Sequence, residues 1–222
     1  GCGKTILAKA IAGESDSYFI HLNAPEIQSK WVGQSEENLR KVFEEAVENQ
    51  PSLIFIDEID AIAKKRAGSE TSRHDDKIVN QLLTLMDGFD KEQRICVIAA
   101  TNKKELLDDA VIRPGRFDYH IEIPVPDEAG CLDILSINTK TRPVSEDFNK
   151  EAFAKKLKEH DLTGADIAFV ANEAAYNCLR NSDTLKKLAN NQSVDIQDLK
   201  ISSKDFDQAL DKLLEQKKIK TE

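Results

Sequence analysis

The run Leu53-Ile54-Phe55-Ile56, entered from Ser52 and left through Asp57-Glu58, constrains this chain more than any other stretch. Four consecutive apolar residues suit a strand covered on both faces, as the strands of a parallel sheet are. The two acids then arrive together at its carboxyl end, where open α/β sheets bind their ligands. If that pair is buried, a cation or a proton must compensate it. A divalent cation with a phosphorylated substrate would do so. The alternative at this point is a strand that runs out into a solvated acidic turn.

The amino end bears on the choice. Gly1-Cys2-Gly3-Lys4-Thr5 runs into the apolar-periodic stretch Ile6-Leu7-Ala8-Lys9-Ala10-Ile11-Ala12, which predicts a helix. Gly-Lys-Thr opening a helix looks like the end of a phosphate-binding P-loop pattern, although the tripeptide by itself is common. Backbone N–H groups there would cradle phosphates, Lys4 would reach the β and γ phosphates, and the Thr5 hydroxyl would ligate a magnesium ion. The first glycine of the full pattern would precede residue 1, as would the strand that normally feeds it. The chain therefore reads as a fragment of a longer protein, with its first strand missing.

Further along, Tyr18–Asn23 reads as a strand and Ala24–Ser29 as a short polar connection. Lys30-Trp31-Val32-Gly33 sets the only tryptophan in a polar, glycine-containing loop, where an aromatic side chain is either a contact residue or the cap of a local cluster. Ser35 is a candidate N-cap before the stripe Leu39, Val42, Phe43, Ala46 and Val47, and Pro51 ends that helix. Ile59, Ile62 and Ala63 predict the start of another helix. Residues 64–76 read as a charged loop, and Ile78, Leu82, Leu85, Met86 and Phe89 as a core helix. Ile95–Ala100 is a second buried strand, ending in Thr101-Asn102, an amide placed to hold a water or to cap a turn. Arg113-Pro114-Gly115-Arg116 has the chemistry of a type II turn. Its two arginines are either a surface ion-pair site or cations aimed at phosphate. Tyr119–Ile123 predicts a further strand. Strands alternating with helices define an α/β domain with a parallel sheet.

Pro124 and Pro126 mark a break, and no strand pattern returns after it. Helices are predicted over residues 129–138 and 149–159. Another follows the capping-box pair Thr163 and Asp166, and a last one follows Ser202 and Asp205. Two domains result: an α/β domain over residues 1–126 and a small all-helical domain with a charged tail over residues 127–222. The composition narrows the function. A net charge of −9, with basic residues scattered, argues against a nucleic-acid surface. Cys2, Cys96, Cys131 and Cys178 lack metal-ligand spacing and fit a reduced, cytoplasmic setting. No apolar run approaches the roughly 20 residues that span a bilayer.

Together these motifs give the chain a strong similarity to the ATPase module of the AAA family of P-loop ring motors, over nearly its whole length. Within that family it resembles the valosin-containing-protein type of segregase. Gly3-Lys4-Thr5 matches the end of Walker A, and Leu53–Glu58 matches Walker B. Trp31-Val32-Gly33 resembles the pore loop, Thr101-Asn102 the sensor 1 position, and Asp87-Gly88-Phe89 the intersubunit signalling segment. Arg113 and Arg116 look like the paired arginine fingers, and Gly164-Ala165 resembles the sensor 2 region.

The resemblance implies a P-loop ATPase domain followed by a helical lid, working in a homo-hexamer on ATP and Mg2+. Gly1, Cys2, Gly3, Lys4, Thr5 and Ile6 would hold the phosphates, while Thr5 and Asp57 would hold the metal. Glu58 would polarise the attacking water, Asn102 would orient it, and Arg113 and Arg116 would arrive from a neighbouring subunit. Gly164 and Ala165 would face the nucleotide. Asn138 stands where relatives carry a ribose-side His. Lys30, Trp31, Val32 and Gly33 would grip a protein substrate, delivered by adaptor proteins where these exist. The missing first strand implies that the isolated fragment folds poorly and hydrolyses ATP weakly. Three other functions remain open from sequence: the motor of an ATP-dependent protease, a nucleotide switch, and a nucleic-acid remodeller.

Overall fold

The computed structural model describes residues 1–30, 35–64, 72–89, 92–182 and 199–219; for residues 28–30, 35 and 72–76 it describes the backbone only. It divides into two compact units, one of Lys4–Glu122 and one of Ile123–Glu222 together with Gly1–Gly3.

The first unit is built on a three-stranded parallel sheet. Its strands are β1 (Tyr18–Asn23), β2 (Ser52–Asp57) and β3 (Ile95–Ala99), in the spatial order β1-β2-β3. The apolar run predicted to be buried on both faces is the central strand, paired with β1 in the register Ile54↔Ile20 and with β3 in the register Ile54↔Val97. Successive side chains of a strand point to opposite faces. Accordingly Leu53 and Phe55 pack with Ala8 and Ala12 of helix α1 (Lys4–Glu14). Ile54 and Ile56 pack on the other face with Leu39, Phe43 and Ala46 of α3 (Ser35–Glu48) and Ile78 and Leu82 of α4 (Ser72–Asp87). All four β2 side chains are at most 2% exposed. Truncating one to alanine costs about 2–5 kcal/mol.

Several connections depart from the sequence expectations. Residues 24–30 form a helix, α2 (Ala24–Lys30), rather than a polar connection. Pro25 and Glu26 in its first turn suit a helix start, and Ala24 is fully buried. The helix expected from Ile59 is only a single 3-10 turn, Ile59–Ala61. Beyond it the chain is tied sideways, because Asp108 N–H donates to Ala63 O at 2.9 Å and Lys64 bridges to Leu107. The predicted loop over residues 64–76 is shorter than expected, since α4 begins at Ser72; residues 65–71 lie outside the described set.

Tyr119–Ile123 is not a strand. Its alternating pattern is present, but Tyr119 is 91% and Ile121 80% exposed, and no described strand supplies a hydrogen-bond ladder beside it. An extended segment without a neighbour leaves its backbone groups to water.

In the second unit the described regular elements are helices α5 (Glu128–Thr139), α6 (Lys150–Glu159), α7 (Gly164–Asn181) and α8 (Ser203–Ile219). Residues 183–198 lie outside the described set. Each helix start has a local cause. Asp127 accepts from Gly130 N–H and Asn149 from Ala152 N–H, each at 2.8 Å. Thr163 and Asp166 close the full capping box. At α8, Asp205 accepts from both the Ser202 N–H at 3.0 Å and its hydroxyl at 2.7 Å. Each such cap contributes about 0.5–2 kcal/mol. The core is aromatic at its centre: Phe206 stacks on Phe148 with ring centroids 4.0 Å apart and meets Phe153 edge-on at 5.5 Å.

Candidate nucleotide site

At the carboxyl ends of β2 and β3 the fold gathers residues far apart in sequence. Helix α1 starts at Lys4, directly after Gly3, whose φ of +88° is a left-handed value that glycine adopts without strain. From that start the Thr5 hydroxyl donates to Asp57 Oδ2 at 2.8 Å. The other carboxylate oxygen, Oδ1, accepts the Glu58 N–H at 3.0 Å. Asp57 is thus oriented through both oxygens. Lys4 Nζ donates to Asn102 Oδ1, which brings the end of β3 to the same place. Of the predicted phosphate-side residues, two pairs therefore form, Lys4 with Asn102 and Thr5 with Asp57, and the adjacent positions of Lys4 and Thr5 bring the pairs together.

At Glu58 the structure decides between the two readings of the acidic pair. The acids are not a buried pair: Asp57 is half-buried and Glu58 exposed. The strand's last turn swings the second carboxylate outward, so no low-dielectric penalty arises between them. The backbone supplies the reason, because Glu58 has φ 53° and ψ 42°, a left-handed conformation that L side chains seldom adopt. Such strain concentrates at functional positions.

The arginine turn forms as its sequence implies. Arg116 N–H bonds back to Arg113 O at 3.3 Å, and Gly115 has φ +93°, the positive value that a type II turn needs at its third residue. The two arginines differ. Arg116 pairs with Asp87 through Nε and Nη2, at 3.3 and 3.0 Å, and donates Nη1 to Ala110 O at 2.7 Å. The Arg113 side chain is exposed and meets no carboxylate among the described residues. Asp87 leads into Gly88 and Phe89, and the Phe89 ring stacks on Phe43 at 5.3 Å. The end of α4 is therefore joined on one side to the arginine turn and on the other to α3.

The remaining predicted residues lie elsewhere. Gly1 belongs with the helical unit, where its carbonyl accepts the Ala165 N–H at 3.1 Å. A Cβ on Gly1 would sit 2.7 Å from Ala165 Cβ and 2.8 Å from Thr163 Oγ1, so the close approach requires glycine. Cys2 is partly buried, and Ile6 is 75% exposed on α1. Asn138 turns its amide onto its own helix, donating Nδ2 to Ile134 O at 2.8 Å. Lys30 is the last residue of α2, and Trp31, Val32 and Gly33 lie outside the described residues. Sequence reasoning missed Asp60, which accepts the Thr101 hydroxyl at 2.6 Å. No periodicity or spacing links residues 60 and 101.

The donor chemistry fits one magnesium ion. Thr5 Oγ1 and Asp57 Oδ2 are hard oxygen donors meeting at 2.8 Å. Magnesium is held by one or two such groups together with phosphate oxygens and water. Among the described residues no cluster of three or more His, Cys, Asp or Glu side chains forms an all-protein metal cage.

A lysine and a hydroxyl at a helix start, facing an oriented aspartate at the end of a central parallel strand, define a P-loop nucleoside triphosphatase. The comparisons narrow this. Residues 1–125 match the family described as "ATPase family associated with various cellular activities (AAA)". The chain is 47% identical over 214 residues to "Protein SAV" of Sulfolobus acidocaldarius, a match covering 95% of this chain and 27% of that protein. It is 45% identical over 212 residues to the "Cell division cycle protein 48 homolog" of Archaeoglobus fulgidus, covering 95% of this chain and 28% of that protein. It is 48% identical over 180 residues to "Protein CdcH" of Halobacterium salinarum, covering 81% of this chain and 24% of that protein. The chain belongs to the AAA family and is an ATPase domain of it. It spans about a quarter of the length of these curated relatives. No helix among the described residues is long and apolar enough to cross a membrane.

Proposed function

We propose that this chain is the hydrolysing module of a ring-shaped motor that converts ATP hydrolysis into the unfolding or extraction of protein substrates. The observation that carries the reading is the convergence of Lys4, Thr5, Asp57 and Asn102, with Glu58 projecting beside them. Lys4 neutralises the β and γ phosphates, and Thr5 and Asp57 hold the magnesium, which supplies charge neutralisation on the phosphate oxygens. Glu58 accepts the proton of the attacking water, and Asn102 fixes that water's direction. Gly1, Cys2, Gly3 and Ile6 complete the phosphate loop and its helix start.

Arg113 is the cation lent to a neighbouring protomer's site, and Arg116, held by Asp87, stiffens the turn that presents it. The exposure of Arg113 beside an anchored Arg116 supports this division. A cation supplied in trans accelerates phosphoryl transfer by about 10³–10⁵-fold. Hydrolysis by this route requires a closed head-to-tail ring, and we take it to be a homo-hexamer. In this reading the helical unit serves as the lid and contributes Gly164 and Ala165, which meet Gly1 within that unit, and Asn138 to nucleotide binding. Lys30, Trp31, Val32 and Gly33 grip the substrate chain by packing, which tolerates many sequences. The net charge of −9 with scattered basic residues supports protein remodelling over nucleic-acid work.

The test is steady-state hydrolysis and substrate unfolding by the full-length protein. Glu58→Gln is expected to bind ATP and abolish hydrolysis. Trp31→Ala is expected to keep basal hydrolysis and lose unfolding. Full hydrolysis by Glu58→Gln would refute the catalytic reading, and intact unfolding by Trp31→Ala would refute the substrate reading.

A further inference from the structure

An exposed amide at the tip of a loop can hold a water in one position only if the backbone beneath it is fixed. Asn102 is such a residue, lying three positions beyond the end of β3. Among the described residues, the segment after β2 and the segment after β3 are laced together at four points. Ile59 N–H donates to Ala100 O at 3.0 Å, Thr101 Oγ1 to Asp60 Oδ1 at 2.6 Å, and Asp108 N–H to Ala63 O at 2.9 Å; Lys64 bridges to Leu107. The Asp60–Thr101 link alone among these runs between side chains, and it is adjacent to Asn102.

The Thr101 hydroxyl has no rotational freedom left. Its hydrogen goes to Asp60, and its oxygen accepts the Lys103 N–H at 2.9 Å. That N–H belongs to the peptide joining Asn102 to Lys103. The hydroxyl therefore grips the peptide of Asn102, and Asp60 grips the hydroxyl. Asp60 itself stands two residues after Glu58, in the 3-10 turn that follows it. One side-chain chain thus runs from the turn beside the proton acceptor to the backbone of the water-orienting amide.

We propose that Asp60 is a positioning residue for hydrolysis: through Thr101 it holds Asn102 at a fixed spacing from Glu58. The inference rests on the roles assigned above to Glu58 and Asn102. It differs from simple loop stabilisation because the three remaining ties keep the loop folded when the side-chain link is cut. Its loss therefore loosens the amide and leaves the fold and nucleotide binding in place.

The test compares Asp60→Ala, Asp60→Asn, Thr101→Val, Thr101→Ser, the Asp60→Ala/Thr101→Val double variant and Asn102→Ala in the full-length protein. The readouts are kcat and KM for ATP, and the affinity for a non-hydrolysable ATP analogue. A misplacement of about 1 Å costs about 100-fold, so Asp60→Ala and Thr101→Val are expected to lower kcat about 10- to 100-fold. KM and analogue affinity are expected to stay within about twofold, because the loosened amide serves the transition state rather than binding. Thr101→Ser keeps the hydroxyl and Asp60→Asn keeps the acceptor oxygen, so both are expected to retain most of kcat. The double variant is expected to be no slower than either single, as for two members of one linkage.

Wild-type kcat in Asp60→Ala or Thr101→Val, beside an inactive Asn102→Ala, overturns the proposal and leaves the site reading standing. A double variant whose loss is the product of the single losses also overturns it. Full activity in Asn102→Ala removes the role on which the proposal rests and overturns both. If Asp60→Ala fails to fold, the near-isosteric Thr101→Val decides the question.

Discussion

Glu58→Gly separates what Glu58 does for stability from what it does for chemistry. The residue sits at φ 53° and ψ 42°, and its side chain is exposed, so no burial is lost on truncation. Holding an L residue in the left-handed region costs about 1–2 kcal/mol. Glycine removes that cost but adds about 0.5–1 kcal/mol of backbone freedom to be lost on folding. The difference predicts that Glu58→Gly is more stable than wild type by about 0.5–1 kcal/mol, while Glu58→Ala, which keeps its Cβ, stays within about 0.5 kcal/mol. Urea unfolding followed by circular dichroism, with the three proteins compared at equal concentration, measures the midpoints. Both variants are expected to lose hydrolysis. A glycine variant less stable than the alanine variant would refute the claim that backbone strain is held at this position, since nothing else about the two side chains favours glycine.

The arginine turn predicts a contrast. Arg113→Ala is expected to leave stability within about 0.5 kcal/mol of wild type. Arg116→Ala, which loses the Asp87 pair and the Ala110 bond, is expected to cost about 1 kcal/mol in urea unfolding, the pair being partly screened by solvent. Equal losses in the two would contradict the distinction between a free and an anchored arginine. In the helical unit, the nearly buried Glu173 carboxyl lies below the usual carboxylate range. The Lys212 ammonium hydrogen bond lowers it most, burial opposes this, and Arg180 lowers it further. A carboxyl depressed in the folded state contributes stability above its unfolded pKa and loses it as pH falls through the folded value. The helical unit is therefore expected to weaken below about pH 5, as this contribution fades. In Glu173→Gln that part of the acid dependence should vanish. Urea midpoints at pH 7, 5 and 4 measure this, and an unchanged pH slope in Glu173→Gln would rule it out.

Much of the fold was readable because single local causes acted alone. The apolar run of β2 required cover on both faces and received it from α1 on one side and α3 with α4 on the other. The glycine of the arginine turn and the Thr163–Asp166 box are likewise decided by their own few residues. The misreadings occur where a distant partner decides. Tyr119–Ile123 has a strand's alternation, but a strand also needs a neighbour. Ile59–Ala63 has a helix's apolar spacing, but the ties to Ala100, Thr101 and Asp108 draw it into a strap. At the site, the kinds of residue were visible and their environments were not. Whether the Asp57–Glu58 pair is buried was open in the sequence; Glu58 is exposed, because its left-handed backbone turns it out of the strand. The Asp60–Thr101 link joins residues 41 positions apart and has no signature in either neighbourhood.

The most direct measurement is complementation between two dead protomers. Full-length Glu58→Gln and Arg113→Ala proteins are each expected to be inactive in hydrolysis. Co-assembled in equal amounts, a ring should contain interfaces in which an Arg113→Ala protomer supplies Glu58 and its Glu58→Gln neighbour supplies Arg113. Random mixing makes about a quarter of the interfaces competent, and ATP hydrolysis is predicted to return toward that fraction of the wild-type rate. Rings that mix and yet stay silent would contradict a site completed by the guanidinium of the next protomer.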